Sequence, residues 1–202
     1  MDGRQAADLL YGGKLPDRRQ TEEEFGAEIL ARLEPHFYIA REVWGEHCSG
    51  QRLRIDAIVK PRRPEEWKNP DIALGIEFKA LDQLTTWKAC CQWIGQCGDY
   101  AHATWDGFGK VWVFASPGLV AHKHHAWERQ NERYPRPRGP EDASAETQRY
   151  YHLLNQFQLG ELGEDPKHGL SFYVNYLHRL WSERQGVELG KTHTLDHPVG
   201  RR

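Results

Sequence analysis

One segment, Ile72-Ala73-Leu74-Gly75-Ile76-Glu77-Phe78, constrains this chain more than any other. Its nearly continuous apolar run reads as a strand buried on both faces, and such a strand needs a layer of structure on each side of its sheet. A second strand precedes it, Leu53 to Val59, alternating as a strand should and carrying Asp56 between Ile55 and Ala57. An unpaired buried charge is expensive. Asp56, Glu77 and Lys79, set within or at the end of buried strands, therefore need a reason to be there.

The surrounding sequence fills in the layers. Thr21 with Glu24 three residues on forms a capping-box pattern, and Phe25, Ile29 and Leu33 then recur at helical spacing until Pro35. Phe37 to Trp44 reads as extended, Gly50 as a turn, and Pro61 and Pro64 open a loop that runs to about Pro70. Residues 83–104 predict a long helix with Leu84, Trp87, Cys91 and Ile94 as its buried stripe. Lys110 to Ala115 predicts a final buried strand, closed by Pro117-Gly118. The order helix, strand, strand, strand, helix, strand implies an α/β fold with a mixed central β-sheet flanked by helices.

The chain divides on this reading into a polar lead (1–20), a core (21–118) and a C-terminal extension (119–202) whose structure the sequence leaves open. Within the extension, residues 134–142 are rich in Pro and Gly and read as a loop. Segments follow at Tyr150–Leu162 and Leu170–Trp181. The second satisfies a helical period through Leu170, Tyr173, Val174, Leu177, Leu180 and Trp181, and partly a strand period through Leu170, Phe172, Val174 and Tyr176; its length favours helix. The tail from Gly190 reads as loosely ordered.

With 202 residues the chain suits one domain, and a net charge of −2 gives it no general attraction for polyanions. Any affinity for phosphate must come from a local patch. The four cysteines, Cys48, Cys90, Cys91 and Cys97, lack paired C-x-x-C spacing and read as free thiols of a packed helix and its surroundings. No run is long and apolar enough for a membrane span, and no signal-peptide pattern opens the sequence, so an intracellular, cytoplasmic setting is expected. The eight tryptophans read mostly as core or partly exposed packing residues, and none is assigned to base stacking.

The two acids and the lysine suggest a chemistry. Residues i and i+2 of a strand share a face, which groups Glu77 with Lys79. Two carboxylates on adjacent strands make a hard oxygen site suited to Mg²⁺ or Mn²⁺. Such an ion neutralises them and acidifies a bound water, while a neighbouring ammonium stabilises charge growing on phosphoryl oxygens.

An aspartate in one strand, a second strand ending Glu77-x-Lys79, an acidic helix before them and a long helix after them resemble the PD-(D/E)XK nuclease superfamily. Asp56 stands at the motif's aspartate, although Ile55 rather than a proline precedes it. Gln96-Cys97-Gly98-Asp99-Tyr100 is similar to the Q-x-x-x-Y motif of the RecB-like branch, on the helix where that branch carries it. The resemblance covers about residues 20–118. It implies a restriction-endonuclease-like core and a Mg²⁺- or Mn²⁺-dependent deoxyribonuclease working in DNA repair, recombination or phage-type processing. It further implies that Gln96 and Tyr100 contact substrate phosphate or steady the site, with Gln92 extending their line. Some relatives hold an iron–sulfur cluster on four cysteines; the placement of the cysteines here leads us to expect none.

Glu22 falls within the buried stripe of the first helix and is the preferred third metal carboxylate, with Glu28 on its flank as second choice. Glu22 equally suits a helix N-terminus. Lys60, Arg62 and Arg63, with Lys68 nearby, form a candidate phosphate-contacting patch. His122, His124 and His125 read as a surface loop, with Lys123 and Arg129 as a modest basic edge; Arg136, Arg138, Arg201 and Arg202 make weaker cases. Bland readings stand beside these: a strand-end ion pair for Glu77 and Lys79, and a polar helix flank for Gln96 and Tyr100. Rival functions are a catalytically inactive nucleic-acid binder on the same fold and an interaction protein working through residues beyond 120. RNA is not excluded as a substrate.

Overall fold

The computed structural model describes residues 21–80, 83–84, 87–118, 145–165, 167–175 and 178–191. The polar lead, the 134–142 loop and the residues His122, Lys123, His124, His125, Arg129, Arg136, Arg138, Arg201 and Arg202 lie outside them, as do Tyr176 and Leu177.

Helix α1 (Glu22–Leu33) starts where its capping box dictates. The Thr21 hydroxyl accepts from the Glu24 amide at 3.1 Å, and the Glu24 carboxylate accepts from the Thr21 amide at 3.0 Å. Its buried face is Gly26, Ile29, Leu30 and Leu33. Strands β1 (Phe37–His47) and β2 (Arg52–Pro61) form an antiparallel ribbon around the turn at Gly50, whose φ of 84° only glycine adopts freely. Strand β3 (Leu74–Phe78) is buried at all five positions, as its apolar run requires.

Helix α2 (Trp87–Ala101) is shorter than the sequence suggests, and of the expected stripe Leu84 and Ile94 are buried while Trp87 and Cys91 are not. Cys90, Trp93, Ile94, Cys97, Tyr100 and Ala101 are buried, whereas Cys91 is only half-buried and Trp87 is 38% exposed. The stripe is set by the sheet face it covers, where Cys90 and Cys97 pack in one core with Ile55, Ile58, Val113 and Ala115. Residues 103–104, expected to end the helix, instead begin strand β4 (Ala103–Trp105), which pairs with β1. Strand β5 (Trp112–Ser116) then runs parallel to β3, with α2 in the crossover.

Strand β5 is not the last. After helix α3 (Ala145–Gln156) come β6 (Gly160–Asp165), β7 (Gly169–Val174), β8 (His178–Ser182) and β9 (Gly186–Val187). The helix expected over Leu170–Trp181 is thus a hairpin. All six residues of β7 are buried. A strand covered on both faces shows no period of two, and pairing with β6 and β8 decides what local pattern leaves ambiguous.

The result is one mixed nine-stranded sheet, ordered β4-β1-β2-β3-β5-β6-β7-β8-β9, with β3, β5 and β6 parallel. Alternate residues of the central strands feed two cores. Leu74, Ile76, Phe78 and Phe114 pack on the α1 side, while Val113 and Ala115 pack under α2 and α3. The sheet curls strongly. Phe37 on β1 and Trp181 on β8 lie six strand spacings apart, about 29 Å in a flat sheet, yet their ring centroids are 4.9 Å apart. The Lys68 amide donates to the Gly190 carbonyl at 2.8 Å, closing the same seam.

Candidate active site

Asp56 sits where the β1–β2 ribbon changes face. Ile55 belongs to the core under α2, but Ala57 and Val59 belong to the core over α1. Across the ribbon Glu42, left out of the ladder between the pairs Arg41–Ala57 and Val43–Ile55, has φ of 51°, a left-handed conformation unusual for a side-chain-bearing residue. The β2–β3 ladder ends at Ala57 and Ile76. Beyond it, the Asp56 carboxylate takes the place of a backbone acceptor, receiving the Phe78 amide on Oδ2 at 2.8 Å.

Glu77 projects toward α2 and is 5% exposed. Its Oε1 accepts from Gln96 Nε2 at 2.7 Å, and the same amide nitrogen donates to the Tyr100 hydroxyl at 2.7 Å. Both Gln96 amide protons are then used, so Tyr100 keeps its own proton to donate. Glu77 Oε2 is buried without a hydrogen bond among the described residues. Burial first, and the Asp56 charge second, push the Glu77 carboxyl up to about 9. Asp56 is raised as well, chiefly by burial and against the opposing pull of the Phe78 amide. Two carboxyls facing each other in low dielectric retain a proton that a cation would replace. Burial, followed by the Glu77 charge, pushes Tyr100 up to about 12.

Lys79 lies just past β3, with its amide donating to Ser116 O at 2.8 Å. Outside the strand the i, i+2 rule no longer binds it to Glu77. Its Nζ is 2.9 Å from Glu22 Oε2 on α1, an ion contact without hydrogen-bond alignment. The charges of both Lys79 and Glu22 are felt at Asp56. Glu22, the N-terminal acid preferred from the helical stripe, thus reaches the site. Glu28 lies about 120° round the helix from it and is exposed.

The structure therefore brings Asp56, Glu77, Lys79, Gln96, Tyr100 and Glu22 together. Among the described residues no group of three or more His, Cys, Asp and Glu side chains is arranged to hold a metal as it stands; Glu22, expected as the third ligand, is engaged by Lys79. The remaining acid pair still fits a hard dication, since Mg²⁺ commonly takes one or two carboxylates and completes its shell with water and phosphate. The retained proton lies between the Asp56 and Glu77 carboxyls, where a dication could take its place.

Gln92 is exposed one turn before Gln96. The Lys60, Arg62 and Arg63 patch is tied into local structure: Lys60 lies 5.8 Å from the Phe108 ring centroid, Arg62 lies 4.4 Å from that of Tyr38 and donates to Glu34 O, and Arg63 pairs with Glu66 at 2.6 Å. Two features escaped the sequence. The Phe78 amide has no side-chain signature. Glu161 on β6 stands level with Glu77, through Ala115 on the parallel strand between them, and is 5% exposed. Together with burial it pushes the Tyr150 hydroxyl well above its usual range. In the run Gly160-Glu161-Leu162-Gly163-Glu164-Asp165 it reads like any surface acid.

No helix of the described residues is long and apolar enough to cross a membrane. Comparisons with protein-family models, with curated proteins and with solved structures gave no match.

Proposed function

We propose that this chain is a Mg²⁺- or Mn²⁺-dependent phosphodiester hydrolase acting on DNA, with a PD-(D/E)XK site on a restriction-endonuclease-like core. The observation that carries the reading is the meeting of half-buried Asp56 and buried Glu77 at the end of β3, each fixed by a hydrogen bond, with Lys79 close by at the same strand end. A purely structural role gives no reason to hold such a pair inside a sheet.

Asp56 and Glu77 would hold the dication. When bound, it supplies the positive charge that offsets the acid pair and lowers the pKa of water. The chain's own residues do the rest. The Phe78 amide and Gln96 each fix one oxygen of a carboxyl, which leaves the second oxygen as a ligand. Lys79, steadied by Glu22, can donate to the attacking water or to a phosphoryl oxygen as negative charge grows there. Tyr100, whose oxygen is occupied by Gln96, can donate its proton to a phosphate.

The test uses single-stranded, double-stranded and branched DNA with Mg²⁺ or Mn²⁺. Wild type should cleave at least one substrate. Lys79→Ala should lower the rate about a hundredfold or more, the usual cost of losing a transition-state donor, and Asp56→Asn should abolish metal-dependent cleavage. A wild type as inert as Lys79→Ala on every substrate ends the enzymatic reading.

A further inference from the structure

Beyond Asp56 the ribbon turns a second, uncovered surface to solvent. Val43, Leu53 and Ile55 face the core under α2, so the alternate residues Trp44, Arg52 and Arg54 point the other way. Trp44 is 49% exposed. Arg54 stands directly opposite it in the register and Arg52 two residues along. Their guanidinium carbons lie 5.9 Å and 5.8 Å from the indole centroid. Arg54 is also two residues from Asp56 on the same strand.

We propose that Trp44, Arg52 and Arg54 form a platform for single-stranded DNA, with an unpaired base stacked on Trp44 and the two arginines on flanking phosphates. This deepens the hydrolase reading and rests on it for the choice of DNA as partner. An indole left half exposed on a strand costs solubility without giving core packing, and base stacking accepts any sequence because every base has a π-face. The guanidiniums supply the charge that a chain of net charge −2 lacks as a whole. Their present partners, Asp106 for Arg52 at 3.1 Å and Glu42 for Arg54 at 3.3 Å, are all at least half exposed. Exposed pairs of this kind are weak and screened by salt, so phosphates can replace the carboxylates.

The experiment is fluorescence anisotropy of a labelled 15-nucleotide oligo(dT), titrated with the full chain in EDTA so that no cleavage intervenes. Trp44→Ala should weaken binding about tenfold, within the range measured for loss of one stacked base. Trp44→Phe should recover most of that loss, and a thermal melt confirms that both variants fold. Arg52→Gln with Arg54→Gln should lower the slope of log affinity against log salt by about 1.4, at roughly 0.7 for each phosphate contact on a single strand. Trp87→Ala, exposed on α2, should bind as wild type does. No binding by wild type, or equal binding by wild type and Trp44→Ala, overturns the proposal and leaves the surface to a protein partner. Failure here is distinct from failure of the hydrolase: binding through Trp44 without any Mn²⁺-dependent cleavage sinks only the hydrolase, and cleavage with Trp44→Ala binding like wild type sinks only the platform.

Discussion

At the scale of single residues, the acid pair governs how the metal-free protein responds to pH. Glu77 titrates near 9 in the fold against about 4.5 unfolded, so between those values the folded state holds the extra proton. Stability in EDTA should therefore be greatest at the acidic end of that window and fall as pH rises toward 9. Glu77→Gln keeps the shape, removes the ionisation and should flatten the curve; urea unfolding at pH 5, 7 and 9 measures it. A parallel curve in the variant would mean that the proton does not reside on Glu77. Gln96 is the second lever. Replacing it with Ala takes the donor from Glu77 and from Tyr100 together, and should cost about 1–3 kcal/mol in stability by urea unfolding along with a loss of cleavage.

At the scale of elements, α1 is both a packed helix and the carrier of Glu22. Its start depends on Thr21, so Thr21→Ala should cost about 1 kcal/mol and lower cleavage by loosening the Glu22–Lys79 contact. Its last turn is pinned to the C-terminal strands of the sheet. Arg32 bonds Glu164 on β6 at 2.7 Å and Glu183, just after β8, at 2.5 Å, with Arg32 and Glu183 side chains 31% and 25% exposed. Arg32 holds the Glu183 carboxyl below its ordinary value despite partial burial. A lowered folded pKa gives stability that is complete above about pH 4.5 and disappears as pH falls below it. Arg32→Ala should cost about 1–2 kcal/mol at pH 7 and much less at pH 3, where other carboxyls also protonate; thermal melts of both proteins across that range give the comparison.

At the scale of the whole molecule, the C-terminal strands close the fold. Phe37, Phe114, Phe172 and Trp181 form one aromatic cluster on the α1 side, with contributions from β1, β5, β7 and β8. Trp181, 3% exposed, should cost about 3–5 kcal/mol when cut to Ala. Ending the chain after Gly118 uncovers the other side of that cluster and leaves β5 as an open edge. The shortened chain should lose its cooperative unfolding transition and aggregate, which calorimetry and gel filtration would show.

Local pattern was enough for the capping box, for the first three strands and for picking out Asp56 and Glu77, because burial periods and cap chemistry act over a few residues; the strand-face rule that grouped Lys79 with Glu77 does not apply, since Lys79 lies past the end of β3 and meets Glu22. Local pattern also placed Gln96 and Tyr100 on one helical line. The inward face of α2, the hairpin at Leu170–Trp181 and the company of Glu161 were not written locally. Each depends on which strand lies alongside: the same apolar string serves as helix or strand until a partner ladder claims its backbone, and an acid looks solvated until a parallel strand carries it under a helix. Sequence alone singled out Asp56 and Glu77 as charges set into strands, because strand burial is a local pattern; the curled sheet decided which other charges are buried and which of them meet, because that depends on the neighbouring strand.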